Sequence, residues 1–483
     1  MRDWAGVALA ALGLVAILAW ALVPTYPDYD AYHHLIWGRD LLQGATPGFE
    51  DAFAPTPHPL YLGLCALLSM AGEHADRLLV LVTVLSLVAL IAGAFALGRA
   101  LFGTAVACLG AFFVGSSFAF LLYAVRAFVD VPFLALVVWA AALEVHRPRR
   151  GLAPMALLAA AGLMRPEAWV LAGLYWLWCL SRLSGPSPKR SGPARAGLLA
   201  LAGAAPVVWC LVDLAVTGDP LFSLTNTQAL SESLDRERGL GAVPASFVTF
   251  LADLARPPVA LAGVVGLGLA LRRFGARRLA IPLGLLGAGV LTFVAIGVAG
   301  LSLIPRYLTV PAVALCVLAG YAVMGFATLQ PGPERTRWRR AALGALGIGV
   351  VFLVVKAGSF GALGSELRFI ERTHDEVSGL LDDTRVRAGL RCGALTFPTY
   401  RLVPDARWQL DAGADEVRTR AGPDGTVRSP GAVAVYIAGD EKFERRFGRA
   451  DGVSRATNRP PAGAPTRRHG PFAVYVSCRA RPR

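Results

Sequence analysis

The sequence predicts an all-α polytopic membrane protein of about eleven transmembrane helices with a small α/β extracytoplasmic C-terminal domain. Three observations lead there. The chain is 55% hydrophobic and only 17% charged, with mean hydropathy +0.53, and its apolar runs repeatedly reach the roughly 20 residues that cross a bilayer as a helix. The formal net charge is +14, but the excess arginine sits in short connectors between apolar runs. That placement marks cytoplasmic loops, so the charge argues for membrane orientation and against nucleic acid as a partner. From Gly358 onward the composition becomes that of a small water-soluble unit.

Residues 5–23 make the first span, preceded by Arg2 and Asp3. Ala19-Trp20-Ala21 imitates a signal-peptidase site, yet the basic region before it is minimal and many spans follow, so an uncleaved anchor with a cytoplasmic N-terminus is expected. The polar stretch 24–77 is then the first outer loop. It gathers Asp28, Asp30, Asp40, Glu50 and Asp51 with His33, His34 and His58, a concentration of chemistry that suits a functional loop. Within it, residues 59–72 are apolar but cover only about 21 Å as a helix, short of the roughly 30 Å hydrocarbon core, and read as an interfacial or re-entrant helix.

Spans follow at 78–98, 104–122 and 131–145, and the basic connector His146-Arg147-Pro148-Arg149-Arg150 faces the cytoplasm. The stretch 152–181 is interrupted at Arg165-Pro166-Glu167. Read as one span, it would put the loop with Arg182, Lys189, Arg190 and Arg195 outside, together with Arg272-Arg273 and Arg277-Arg278. Two half-length helices keep both basic segments inside and leave Arg165 and Glu167 at the outer end of the hairpin. Spans at 197–216, 257–271, 279–300, 305–327 and 341–357 complete the membrane part, with an outer loop from Thr217 to about Arg256 and with Arg335, Arg337, Arg339 and Arg340 inside. The membrane domain is thus 1–357 and the extracytoplasmic domain 358–483. In the latter, 361–383 reads as helix and 393–397, 432–437 and 472–477 as short strands between Pro/Gly-rich connections. Nothing in that domain looks like an active site.

Cys65, Cys108, Cys179, Cys210 and Cys316 lie in apolar runs, where a thiol acts as a small hydrophobe. Cys392 and Cys478 lie on the outer side, where oxidation makes them a candidate disulfide.

The topology brings Asp30, of the first outer loop, and Asp130, of the second, to the same side. Asp30 on its own reads equally as a solvated loop carboxylate, and Asp130 as the partner of Arg126 four residues earlier on one helix. Carboxylates held near lipid are nevertheless costly and suggest a role. Arg306, at the outer start of a span, either snorkels to lipid headgroups or uses its fork of donors to hold a phosphate. Arg165 and Glu167 read as an ion pair at the hairpin turn. The histidines lack a recognisable zinc spacing. No resident cofactor is marked; a divalent ion would find oxygens in Asp28 or Asp30 together with a substrate phosphate.

Taken together, Asp30-Ala31-Tyr32, Arg39-Asp40-Leu41-Leu42-Gln43-Gly44 and Pro57-His58-Pro59-Leu60-Tyr61 in the first loop, Arg126 with Asp130-Val131-Pro132 in the second, Arg165-Pro166-Glu167 at the hairpin and Arg306-Tyr307-Leu308 near the last spans resemble the GT-C class of membrane glycosyltransferases. That superfamily includes protein O-mannosyltransferases and aminoarabinose transferases. The resemblance covers roughly residues 1–330. It implies transfer of a sugar from a polyprenyl-phosphate donor to an acceptor, a glycan, lipid or protein, on the outer face of the plasma membrane. By similarity Asp30 matches the catalytic carboxylate, with Asp28 as the competing choice because Asp28-Tyr29-Asp30 replaces the common adjacent acidic pair. Asp130 matches the second-loop acidic residue. Arg306 matches the donor-phosphate cation, with Arg165 and Tyr307 beside it, and Tyr32, His33, Trp37, His58 and Glu167 are expected to line the substrate.

The chemistry agrees independently. A sugar phosphate carries a good leaving group, so its transfer needs one base for the acceptor's proton and a cation for the departing phosphate. A transporter or lipid flippase is the competing class; it would carry ionisable residues in mid-span or an internal repeat, whereas charges here collect at span ends. A display anchor for the C-terminal domain would need a single span.

Overall fold

A computed structural model describes residues 3–149, 151–180, 192–233, 236–356, 358–422, 425–448, 452–460 and 465–478. Arg2, Arg150, Arg182, Lys189 and Arg190, which carry part of the charge argument above, lie outside the described residues.

The helices of the first half are α1 (Asp3–Leu22), α2 (Tyr29–Leu42), α3 (Pro59–Ser69), α4 (Ala75–Phe102), α5 (Thr104–Gly115), α6 (Phe118–Val125), α7 (Asp130–His146), α8 (Leu152–Gly162) and α9 (Glu167–Leu180). The second half adds α10 (Gly192–Thr217), α11 (Phe222–Ser233), α12 (Val243–Ala255), α13 (Pro257–Arg278), α14 (Ala280–Val298), α15 (Thr309–Met324) and α16 (Pro333–Val355). Among the described residues, seven helices are long and apolar enough to cross a membrane, or eight if the bent pair α5 and α6 counts as one. The other expected spans are the shorter helices α7, α8 and α9, the last two forming the hairpin that the charge pattern requires.

α15 is the centre of the bundle, buried along nearly its whole length, while α1 and α16 ride on the outside with their apolar faces turned to lipid. Backbone contact at the centre depends on small residues, as it does in bilayers generally. A Cβ on Gly266 of α13 would fall 2.0 Å from the Leu318 carbonyl oxygen, and one on Gly320 would fall 2.6 Å from that of Val106.

The span expected over 104–122 is not straight. α5 and α6 meet at 58°, and side chains hold the bend. Ser117 Oγ donates to the Leu254 carbonyl at 2.8 Å, and Arg256 donates to Ser116 Oγ at 2.7 Å. The outer loop expected over 217–256 is itself helical, as α11 and α12. At the opposite end of the hairpin, buried Glu144 accepts from the Arg149 backbone N–H, Trp178 Nε1 and Tyr175 Oη, so its carboxylate is satisfied where the short connector turns.

The C-terminal part has its own apolar core, running from Phe369 to Val474. It comprises α17 (Gly358–Asp382), α18 (Thr384–Leu390), β1 (Leu395–Phe397), α19 (Val403–Leu410), β2 (Val417–Thr419), β3 (Val433–Ile437), β4 (Arg467–His469) and β5 (Phe472–Val476). The sheet order is β2-β1-β3-β5-β4, with β1 parallel to both neighbours and β5 antiparallel to both of its own. β2 and β4 were not expected; Val-Arg-Thr and Arg-Arg-His carry no apolar alternation to reveal them. Cys392 and Cys478 are joined as a disulfide, with Cα atoms 6.0 Å apart. Two ion pairs fasten this part to the first loop: Arg407 to Asp51 at 2.6 Å and Arg39 to Asp411 at 2.8 Å.

Candidate active site

The first loop is a folded platform built on α2. Asp28 caps the helix, its Oδ1 accepting from the Ala31 N–H at 3.0 Å, and Asp30 follows in the first turn, where the helix dipole favours negative charge. Residues Ala31 to Gly38 are buried without interruption, so α2 is fixed by packing. Burial, and then the charge of Asp30, push the Asp28 carboxyl up to about 7.

His34 locks this platform to α3. Its Nε2 accepts from the His58 backbone N–H at 3.0 Å, which leaves Nδ1 to donate to the Asp30 carbonyl at 2.7 Å. The ring is therefore the neutral Nδ1–H tautomer with both nitrogens engaged, and burial lowers its pKa to about 4. His33 is buried between the rings of Tyr29 and Trp37 with neither nitrogen hydrogen-bonded. Among the described residues, no three His, Cys, Asp or Glu side chains gather as metal ligands would.

Five charged side chains from four segments form an alternating row. Asp30 Oδ2 accepts from Arg306 Nη1 at 3.0 Å; that nitrogen lies 3.6 Å from Asp130 Oδ2; Asp130 Oδ1 accepts from Arg165 Nη1; and Arg165 Nε donates to Glu167 Oε1 at 2.9 Å. Asp130 is fully buried and Arg165 nearly so, while Asp30 and Arg306 keep 25% and 22% of their side chains exposed. The inner end of the row is thus structural and the outer end open. Aromatic rings support both cations: Phe128 under Arg306 at 5.4 Å and Tyr307 under Arg165 at 5.4 Å.

The expected Arg126–Asp130 pair does not form. Arg126 ends α6 and Asp130 begins α7, with Ala127 at φ 57° between them, so the four-residue helical spacing does not apply. Arg126 instead donates to the Tyr26 carbonyl at 2.9 Å.

Two cavities flank the row. One, of about 510 Å³, is walled by Asp30, His58, Arg165, Glu167, Arg306 and Tyr307 at its charged end and by apolar side chains of α9, α11 and α14 beyond. The other, of about 550 Å³, lies between the membrane helices and the C-terminal part; Asp28, Asp30, Tyr32, Arg126 and Arg306 face His374, Arg401, Asp405 and Arg446 across it. Tyr29, Asp30, Arg236, Ile304, Arg306 and Tyr400 line both. Of the expected substrate-lining residues, Tyr32, His58 and Glu167 are on a cavity wall. His33 and Trp37 are on neither; they pack behind it, Trp37 against Phe49.

The C-terminal part, in which the sequence offers nothing like an active site, contributes residues to the walls of both cavities. Tyr400 is its one residue on both cavity walls among the described residues, stacked on Phe53 at 4.5 Å and edge-on to Tyr29 at 5.1 Å. His374 stacks on Tyr26 at 3.6 Å and pairs with Asp405 at 3.0 Å. Burial alone would lower the His374 pKa, but the hydrogen bond and charge of Asp405 outweigh it and the pKa is raised.

No protein-family model matches the sequence, and neither does any curated protein. Solved structures do match. ArnT from Cupriavidus metallidurans, bound to undecaprenyl phosphate, superposes over 100% of both chains with a TM-score of 0.59 at 15% identity. The chain has the GT-C fold. The archaeal oligosaccharyltransferase AglB from Archaeoglobus fulgidus, in complex with an inhibitory peptide and a dolichol-phosphate, is similar over 95% of this chain and 69% of its own, with a TM-score of 0.50 at 13% identity. Both neighbours are GT-C glycosyltransferases, and this chain, which shares their fold, is a multi-pass membrane protein.

Proposed function

We propose that the protein is a glycosyltransferase that moves a sugar from a polyprenyl-phosphate donor to an acceptor on the extracytoplasmic face of the plasma membrane, with residues 1–357 forming the catalytic membrane domain and 358–483 an outer domain. The observation that carries this reading is the position of Asp30 and Arg306 on the wall common to an apolar cavity and a polar one. The ligands bound to the two structural neighbours, undecaprenyl phosphate and a dolichol-phosphate, are consistent with a prenyl tail among α9, α11 and α14.

In this mechanism the acceptor hydroxyl enters from the polar cavity. Its oxygen bonds to the anomeric carbon as the bond from that carbon to the phosphate oxygen breaks, the electron pair leaving with the phosphate. Asp30 takes the hydroxyl proton, and Arg306 receives the growing charge on the phosphate. Attack from the face opposite the leaving group inverts the anomeric centre. Arg306 is paired with Asp30 at 3.0 Å before the donor arrives, so a phosphate that draws Arg306 away also frees the base. Asp130 and Arg165 hold Arg306 in place from behind, and Tyr307 backs Arg165. Asp28 serves as the helix cap.

The test is native mass spectrometry of the detergent-purified Asp30→Asn protein beside Arg306→Ala. A co-purifying polyprenyl-phosphate sugar, present in the first and lost in the second, is the expected result. Folded proteins with no prenyl lipid in either would defeat the reading.

A further inference from the structure

The charges around the polar cavity do not cancel. Five arginines line it, and only two are neutralised: Arg306 by Asp30 and Arg446 by Glu366, each at 3.0 Å. Asp405 is taken by His374. The fourth carboxylate, Asp28, is the buried helix cap and bonds to the Ala31 N–H. Among the described residues, Arg126, Arg236 and Arg401 have no carboxylate within salt-bridge distance. The guanidinium of Arg126 bonds to the Tyr26 carbonyl and that of Arg401 to the Arg446 carbonyl at 3.3 Å. An isolated exposed arginine is ordinary and solvated. These three come from the end of α6, from the segment between α11 and α12, and from the turn before α19, yet they converge on one cavity that has Asp30 on its wall.

We propose that this cavity takes an anionic acceptor, one carrying phosphate or carboxylate close to the hydroxyl that is glycosylated, with Arg401 and Arg236 as the principal contacts and Arg126 at the inner wall. The proposal rests on the glycosyltransferase reading and specifies its acceptor. Guanidinium forks match both oxyanions in two-point geometry, and although Arg236 and Arg401 are exposed, cations gathered on one cavity wall raise the local concentration of anions. Because Arg401 belongs to the C-terminal part, that part supplies acceptor recognition. A neutral sugar or an uncharged peptide hydroxyl would leave Arg236 and Arg401 facing it without a carboxylate partner, while Arg126 keeps the field of Asp28.

The experiment uses the full-length protein in phosphatidylcholine nanodiscs, first loaded with undecaprenyl phosphate, and measures binding of glucose 6-phosphate and of glucose by calorimetry. Glucose 6-phosphate is expected to bind at least tenfold more tightly than glucose, and Arg401→Gln with Arg236→Gln to remove that difference while undecaprenyl phosphate stays bound. Competition by phosphatidylglycerol added to the disc would assign the anion to a lipid headgroup, and its absence to a water-soluble acceptor; the site stands in both cases. Equal binding of the two sugars overturns the proposal, as does sugar phosphate binding that undecaprenyl phosphate displaces. A wild-type protein that fails to bind undecaprenyl phosphate defeats the glycosyltransferase reading instead.

Discussion

A single nitrogen of Arg306 stands 3.0 Å from Asp30 Oδ2 and 3.6 Å from Asp130 Oδ2. The guanidinium thus bridges an exposed carboxylate and a buried one, and the two do different work. Removing the Asp30 charge leaves Arg306 still held by Asp130, so Asp30→Asn is expected to fold normally and to lose transfer by about 10²–10⁴-fold, the usual share of a general base. Arg306→Lys keeps one charge but not the fork, and a loss of about 10²-fold or more in kcat is expected, as for removal of one oxyanion donor. Transfer assays with circular dichroism on the same samples test both. Full activity in Asp30→Asn would move the base to Asp28.

Arg165 belongs to the structural end of the row. Its removal takes the cation from nearly buried Glu167 and leaves fully buried Asp130 only the 3.6 Å pairing with Arg306. Breaking a buried pair in this way costs about 3–5 kcal/mol. Arg165→Leu should therefore unfold at a clearly lower denaturant concentration than Arg165→Lys, which keeps the charge. Equal stability of the two would show that the pair carries little of the fold.

Tyr400 reaches the junction of the two cavities from the C-terminal part. Tyr400→Phe keeps both ring contacts, to Phe53 and Tyr29, and is expected to retain transfer. Tyr400→Ala loses two aromatic pairs worth about 0.5–1.5 kcal/mol each and releases Phe53, whose backbone sits at φ 65°. A fall in transfer of several-fold, with unchanged prenyl-lipid binding, is the expected signature in a steady-state assay.

Asp28 sets a pH dependence of stability. Its pKa is raised from 3.8 to about 7 in the folded protein, so the folded state holds the proton more tightly than the unfolded chain. The contribution is fully present below pH 3.8 and is lost as pH rises through about 7. Asn is as good a helix cap as Asp. Asp28→Asn is therefore expected to keep α2 and to flatten the fall in thermal stability between pH 5 and pH 8, a window lying on the flank of this titration. An unchanged slope would assign the dependence to another group.

Much of this site is legible in the amino-acid order, and what is not fails for definite reasons. The hairpin of α8 and α9 follows from charge parity because short basic loops hold their side of the membrane. The carboxylates of the first loop are conspicuous because few polar stretches interrupt the apolar runs. The partner of Asp130 was hidden because spacing along a chain assumes one continuous helix, and the turn at Ala127 breaks it. His33 and Trp37 look like binding residues in sequence, but a helix buried all round turns some of its polar and aromatic side chains into packing. Tyr400, Arg401 and His374 were invisible for another reason. Each sits in an ordinary short turn or amphipathic helix, and long-range contacts, the ion pairs Arg407–Asp51 and Arg39–Asp411 and the ring stacking of His374 on Tyr26 and Tyr400 on Phe53, bring them to the cavity.

The shared wall between the two cavities has a kinetic meaning. One chamber runs into apolar helices and the other lies beneath the C-terminal part, so each can fill without the other being vacated. Under the proposed transfer both substrates can be aboard together, and a direct displacement needs no covalent sugar on the protein. Blockers of one chamber will raise or lower occupancy of the other through the residues that line both, Asp30, Arg236 and Arg306 among the charged ones and Tyr29, Ile304 and Tyr400 beside them.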